Sequence, residues 1–490
     1  MGMELVRHLV VLMLENRSFD NMVGYVYAAD GNCPPINIPQ PAEGSPTTYD
    51  GLRKPAPDTD FWNPSNADFF ENPSAVPNKI PATESVIDFR MPISDPGEEF
   101  VHMTSQLFGP NVTSPTQSAI HQMKGFALDY GSLDNCMAAN IMQCYSAAQV
   151  PVITALARAY AISDRWHASS PTQTWPNRAF VHLGTSLGKV NNAPNDPFHY
   201  DVPTIFNILE ELNFNPWGEL VTWGVYNDTI LPSLTRLQLP QLWDPKLDGH
   251  FHDFATFKQH AGDGTLPTYS FIEPSFTVDP NDEHPPHDVR LGEQFIHDVY
   301  QAVSTGKDWA QTLLLIIYDE HGGCYDHVPP PWNATPPDPQ SNPGEAGFCF
   351  NRFGVRVPAL LISPYIEPGT VFRSPTGVPY EHTSILATIR QWLKIPSDKM
   401  LPSARIKAAP DFGNVLTRTT PRTDRPVTVP LESLAAWRVA PDAATNDLQK
   451  SIVIAMETKR LGRSLAVHEV QALTAKMLTR RQMNSYLKLR

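Results

Sequence analysis

The chain has 490 residues, 41% apolar and only 18% charged, enough for one large catalytic-size domain with an appendage, or for two domains. Its net charge of −14 and pI near 5.6 lack the basic footprint of a nucleic-acid binder, which excludes that partner class. Five cysteines (Cys33, Cys136, Cys144, Cys324, Cys349), odd in number and without paired metal spacing, argue against a disulfide framework and a structural zinc site and favour a reducing compartment.

At the N-terminus the apolar run Leu9 to Leu14 is too short for a secretory h-region. The expectation is a cytoplasmic protein as the chain stands, although Met1-Gly2-Met3 could replace a removed leader and leave export open. The same run reads as a buried strand that stops abruptly on Glu15, Asn16, Arg17 and Ser18. An acid, an amide and a base in succession must be solvated or ligated, so something polar should be waiting at that strand end.

Residues 31 to 100 carry thirteen of the 49 prolines and little periodicity. They read as a long surface insertion that helps cap the site, since loops of that length are usually functional or disordered. A helical pattern follows at Val152 to Tyr160. Then comes "DRWHASSPTQTWPNRAFVHLGTS", with Ser169, Ser170, Thr172 and Thr174 ahead of Pro176-Asn177-Arg178. A hydroxyl beside a metal can become a nucleophile, and Asn177 or Arg178 could hold anionic oxygens. Hydroxyls beside proline also serve turns, so the stretch is ambiguous alone.

A strand is predicted over Ser270 to Ile272, then "DEHPPHDVRLGEQF" places His284, His287 and Asp288 just before a helix at Val289 to Val303. The imidazoles could ligate a metal, donate to phosphoryl oxygens or act as a general acid, or Asp288 could simply cap the helix. "LLLIIYDEHGGCYDHVPPP" repeats the opening puzzle: the strand Thr312 to Tyr318 ends on Asp319 and Glu320. A further strand is predicted over Val355 to Ile362, and "YEHTSIL" sets Glu381, His382 and Thr383 at the start of a helix ending near Leu393. Strands without alternation, separated by helices, predict a doubly wound, mostly parallel α/β sheet covered on both faces.

After about residue 400 a proline-punctuated linker leads to one or two helices over Asn446 to Arg490. The last forty residues carry eight Lys or Arg against two Glu. Such an end could touch an anionic membrane; a docked helix with a solvated basic face is the blander reading. The expected organisation is a catalytic domain over 1–400 and a linker with a helical extension over 401–490.

In an open α/β sheet ligands bind beyond the carboxyl ends of the strands, so two strands deliver Glu15, Asn16, Asp319 and Glu320 to one edge. Three carboxylates there would repel and raise one another's pKa values unless a cation sits among them. Oxygen donors suit Mg2+, Ca2+ or Mn2+, and nearby histidines keep Zn2+ open.

Taken together, "ENRSFDNMVG", "PTQTWPNR", "HPPHDV", "YDEHGGCYDHVPPP" and "YEHTSILATI", in this order over residues 5 to 395, resemble the bacterial and plant non-specific phospholipase C family, which includes acid phosphatases of the phosphoesterase group. The resemblance implies an alkaline-phosphatase-like α/β fold and hydrolysis of phosphate esters through a phospho-enzyme. It implies metal ligands at Glu15, Asn16, Asp319 and Glu320, a nucleophile at Thr174, and phosphate-contacting or proton-transferring groups at His284, His287, Asp288 and His382. Two positions depart from the family pattern: Glu98 in "SDPGEEF" and Asn21 in "RSFDNM" stand where histidines are expected. A carboxylate at residue 98 would repel a doubly charged monoester more than a diester and could welcome a cationic head group. His102, four residues on, could supply the missing imidazole. The resulting expectation is phospholipase C-type cleavage of phospholipids. Acid phosphatase action on monoesters and an inactive phospho-ligand-binding homologue are the alternatives.

Overall fold

Apolar runs without alternation become the centre of one sheet, because every side chain along them is covered from both faces. The computed structural model describes residues 2–30, 47–53, 60–72, 78–84, 88–119, 122–228, 231–426 and 443–488. The eight strands of the sheet are β1 (His8–Leu14), β2 (Ala161–Ser163), β3 (Trp223–Asn227), β4 (Phe251–Asp253), β5 (Tyr269–Glu273), β6 (Thr312–Tyr318), β7 (Ala359–Ile362) and β8 (Thr370–Val371), in the order β8-β2-β7-β6-β1-β5-β3-β4. All pairings are parallel except those of β7, which runs antiparallel to β6 and β2. The chain therefore forms the mostly parallel α/β sheet that its pattern predicts.

β7 is shorter than the predicted Val355 to Ile362. Pro358 has no N–H to give a ladder, and the residues before it turn away to bond Trp166 and Ala168: the Val357 amide donates to the Trp166 carbonyl at 3.0 Å, and the Ala168 amide to the Val355 carbonyl at 3.0 Å.

The helices that matter for the site are α1 (Phe19–Val23), α2 (Phe100–Phe108), α3 (Pro151–Ala159), α4 (Thr174–Leu183), α5 (Val289–Thr305) and α6 (Thr383–Trp392), followed by α7 (Asp447–Leu461), α8 (Val467–Thr474) and α9 (Arg480–Lys488) in the C-terminal region. α5 shows how packing selects the helix: Phe295, Ile296, Val299, Tyr300 and Val303 are buried on one face, recurring at the spacing of an amphipathic stripe. In the sheet Leu12 and Ile316 are fully buried, and truncating either to Ala should cost about 2–5 kcal/mol.

Much of the proline-rich insertion, at 31–46, 54–59, 73–77 and 85–87, lies outside the described residues, as does 427–442 in the linker. The C-terminal helices pack onto the rest of the chain. Leu448, Ile452 and Ala455 of α7 enter the main core, and Val453 meets Met477, Met483 and Leu487 in a small cluster of its own. Among the described residues no helix is long and apolar enough to cross a membrane, and the four described cysteines are free thiols.

Candidate active site

The register of the two central strands builds the site. Leu14 of β1 pairs with Tyr318 of β6, so residues 15 and 319 leave the sheet side by side, and the Asp319 amide still donates to the Leu14 carbonyl at 3.2 Å. Asn16 then turns with φ of 53°, a left-handed conformation that Asn tolerates better than most residues. Gly322 is required opposite it: a Cβ there would lie 2.2 Å from the Asn16 carbonyl oxygen.

Hydrogen bonds lock these residues together. The Asn16 amide donates to Asp319 Oδ1 at 2.8 Å, and its side-chain Nδ2 donates to Glu320 Oε1 at 2.6 Å, which turns Asn16 Oδ1 toward α4. Thr174 is the first residue of α4, and its hydroxyl lies 3.2 Å from Asn16 Oδ1 and 3.4 Å from Glu15 Oε2. Proline is tolerated in a helix's first turn, so Pro176 lets α4 begin where Thr174 meets the sheet edge. The other hydroxyls of this stretch are engaged elsewhere: Ser169 donates to Glu381, and Ser170 bonds Thr172 at 2.7 Å.

Asn177 and Arg178 serve the frame. Asn177 Nδ2 donates to the Thr172 carbonyl at 2.7 Å, clamping the turn that leads to Thr174. The fully buried Arg178 donates from Nε and Nη2 to Glu15 Oε1, with the Nε contact at 2.8 Å, and from Nη1 to Glu273 Oε1 at 3.3 Å. Its guanidinium is thus committed to carboxylates of the protein.

The charge balance of the cluster asks for a cation. Burial and the neighbouring Asp319 push the Glu15 carboxyl well above its ordinary range, against the pull of Arg178. Burial, then Glu98 and Asp319, push Glu320 up in the same way. Asp319 Oδ2 is buried without any hydrogen-bond partner. A divalent ion would satisfy that oxygen and relieve the repulsion, and oxygen donors from Glu15, Asn16, Asp319 and Glu320 suit Mg2+, Ca2+ or Mn2+.

An imidazole wall stands beside this set. His284 and His287 sit on the loop before α5, both buried. His287 Nδ1 hydrogen-bonds Asp282 Oδ1 at 2.6 Å, and its Nε2 lies 3.2 Å from Gln449 Nε2. The carboxylate can only accept and the amide nitrogen can only donate, so His287 is neutral with its proton on Nδ1; burial, outweighing Asp282, pulls its pKa down. His284 Nε2 lies 3.4 Å from Glu98 Oε1, and its Nδ1 lies 2.7 Å from the Pro285 carbonyl. His382 Nε2 hydrogen-bonds the Asp319 carbonyl oxygen, leaving Nδ1 buried and without a partner.

Other predicted positions point elsewhere. Asp288 accepts from the Arg290 amide at 3.1 Å as the cap of α5 and pairs with the Arg290 guanidinium. His102 bonds Asp129 at 3.0 Å; α2 begins only at Phe100, so Glu98 lies outside the helix and the two residues share no helical face. Asn21 lies on α1, where it accepts from Arg17 at 3.2 Å and donates to the Gln143 carbonyl at 3.1 Å.

Several participants carry weak sequence signals or none. Glu273, the last residue of β5, is an acid at a strand end, the same signal that singled out Glu15 and Asp319. Asp282 lies in the loop before α5 that carries the two imidazoles. Asp447 and Gln449 come from α7, far along the chain: Asp447 Oδ2 accepts from Gln173 at 3.2 Å, and its amide donates to Asp95 Oδ2 at 3.1 Å. A second acidic group, Asp20, Asp326 and His327, is already served by Arg356, at 3.0 Å from Asp20 and 3.1 Å from Asp326. A cavity of about 480 Å³, lined in part by Arg90, Asp95, His287, Asn446 and Arg480, opens beside the imidazole wall and is of a size for a small ligand.

The sequence matches the phosphoesterase family over residues 6–396. It is 34% identical over 437 residues to non-specific phospholipase C3 of Arabidopsis thaliana, covering 87% of this chain and 76% of the relative. It is 27% identical over 431 residues to phospholipase C B of Mycobacterium tuberculosis, covering 80% and 74%. Among solved structures, a protein in the alkaline phosphatase superfamily from Vibrio parahaemolyticus aligns at 13% identity over 54% of this chain and 65% of that chain, with a TM-score of 0.32.

Proposed function

The chain belongs to the phosphoesterase family and is a phosphoric ester hydrolase, and from that premise we propose that it cleaves phospholipids to diacylglycerol and a phosphorylated head group. The reaction runs through a covalent phosphodiester on Thr174 that keeps the head group until water releases it, with one divalent cation held by Glu15, Asn16, Asp319 and Glu320. The observation that carries this reading is the Thr174 hydroxyl, fully buried and 3.2 Å from Asn16 Oδ1, at the edge of a carboxylate cluster with an unsatisfied Asp319 oxygen.

When bound, the cation supplies a Lewis acid that favours the Thr174 alkoxide and the charge on the phosphoryl oxygens. Thr174 Oγ1 attacks phosphorus as the bond from phosphorus to the glycerol oxygen breaks on the opposite side. The start of α4 adds a favourable dipole for the oxygen anion. Asp282 holds the proton of neutral His287 on Nδ1, so Nε2 is the atom that exchanges a proton: it takes one from the Thr174 hydroxyl and passes it to the departing alkoxide, then takes one from the attacking water and returns it to Thr174 Oγ1 as the enzyme phosphoester is hydrolysed. Arg178 keeps Glu15 in place throughout.

A phospholipase C reading is favoured over a phosphomonoesterase by Glu98, buried beside His284, because a wall carboxylate repels a dianion more than a monoanion. The test compares p-nitrophenylphosphorylcholine with p-nitrophenyl phosphate and follows diacylglycerol release from phosphatidylcholine vesicles. Turnover of the choline ester and release of diacylglycerol are expected. Hydrolysis of the monoester alone would reject the phospholipase reading.

A further inference from the structure

We propose that Asp95, Glu98 and His284 form a second divalent-cation site, separate from the Glu15, Asn16, Asp319 and Glu320 set and suited to Zn2+. Among the described residues their ligand atoms form one of two groups that converge within 4.8 Å, and the other is occupied by Arg356. Glu98 is 3% exposed and His284 fully buried, yet both Glu98 carboxylate oxygens, His284 Nε2 and Asp95 Oδ1 have no hydrogen-bond partner. Buried polar atoms are nearly always satisfied. Four unsatisfied atoms brought together form a donor set that a cation would satisfy.

The tautomer is compatible with this. The Pro285 carbonyl can only accept, so His284 Nδ1 carries a proton and Nε2, turned to the Glu98 carboxylate, either holds a cation as a neutral imidazole or pairs with Glu98 as an imidazolium, the state that, against burial, Glu98 and Asp95 favour. In the neutral state the Nε2 lone pair and the carboxylate oxygen 3.4 Å away would repel, so a proton or a cation lies between them. Two donors each about 2.0–2.1 Å from a tetrahedral Zn2+ are separated by about 3.4 Å, the spacing seen here. The Asp447 amide at the start of α7 holds Asp95 Oδ2 at 3.1 Å and leaves Oδ1 for the ion, the outer support that metal ligands usually have. One imidazole and two carboxylates suit zinc better than an all-oxygen cation.

The inference rests on the preceding reading only for the first cation, and metal counting separates the two. The full-length chain is stripped with chelator, reloaded with Zn2+, desalted and analysed by inductively coupled plasma mass spectrometry, with circular dichroism as the fold control. The wild type should hold about two Zn2+ per chain, with Glu98→Gln, Asp95→Asn and Asp319→Asn each holding about one. Zinc content unchanged in both Glu98→Gln and Asp95→Asn overturns the second site. A single ion lost in Asp319→Asn and kept in Glu98→Gln overturns it while leaving the first reading standing. An ion lost in Glu98→Gln with Asp319→Asn unchanged supports the second site and shows that the first does not take Zn2+, and its occupancy is then counted after reloading with Mn2+. Should Glu98→Gln fail to fold, Asp95→Asn, at a partly exposed carboxylate, carries the test. If His284 is instead an imidazolium paired with Glu98, zinc content will not respond to either substitution.

Discussion

Replacing Arg178 with Met withdraws a guanidinium that is fully buried between Glu15 and Glu273. Breaking such a pair from one side typically costs about 3–5 kcal/mol, because the abandoned charge stays in the interior. The two carboxylates are not equally exposed to this loss. Glu273 keeps the Thr235 amide at 2.9 Å and the Thr235 hydroxyl at 2.8 Å, whereas Glu15 retains only the 3.4 Å contact from Thr174. Most of the penalty therefore falls on Glu15, and neutralising it should recover much of the loss. Urea unfolding in chelator is expected to place Arg178→Met about 4 kcal/mol below wild type. The Arg178→Met, Glu15→Gln pair should be more stable than the sum of the single changes by about 2 kcal/mol. Saturating divalent cation should narrow the deficit of Arg178→Met, since it supplies the missing countercharge. Additivity within about 0.5 kcal/mol, together with a raised KM and unchanged stability, would instead place Arg178 on the substrate and refute this account of the cluster.

Thr174→Ala should lose activity by at least about a thousandfold while retaining metal, and Thr174→Ser should keep part of it, because only the latter preserves the attacking oxygen; steady-state assays beside metal analysis check this. Burial pulls the pKa of His327 down, but the Asp20 charge and the hydrogen bonds to Asp20 and Asp50 outweigh it and push the value up to about 9. Its stabilisation, about 3 kcal/mol relative to an ordinary histidine near 6.5, is then fully present below pH ~6.5 and lost as pH rises through ~9. His327→Gln should flatten that alkaline loss in urea titrations across the window. Gln449→Leu leaves His287 Nε2 buried and unpaired, a cost of about 1–3 kcal/mol, and hydrogen exchange across Asp447–Leu461 should quicken accordingly; an unchanged exchange pattern would detach α7 from the imidazole wall.

The central strands are legible in the sequence because burial on both faces removes alternation, and the acids that follow them stand out against that background. What no local pattern contains is register: Leu14 opposite Tyr318 is a tertiary fact, and it alone puts Glu15 beside Asp319. The motif before α4 offers four hydroxyls of similar promise. Only the structure separates them, by giving Ser169, Ser170 and Thr172 partners of their own and turning Thr174 to Asn16. His102 shows the opposite failure, a helical spacing applied to Glu98, which precedes the helix. Gln449 sits in a capping box with Asn446, a signal that predicts a helix start and carries no trace of a histidine 162 residues away. The apolar neighbours of Val355 extend the strand pattern to it, and Pro358 confines the strand to Ala359–Ile362.

The central claim is that Thr174 is the attacking group within a cation-binding cluster. Rapid acid quench during turnover of p-nitrophenylphosphorylcholine, followed by peptide-mapped mass spectrometry, measures this most directly. The account predicts a phosphorylcholine adduct on the peptide carrying Thr174, absent from chelated enzyme and from Asp319→Asn. An adduct on another residue, or full turnover by Thr174→Ala, would contradict it.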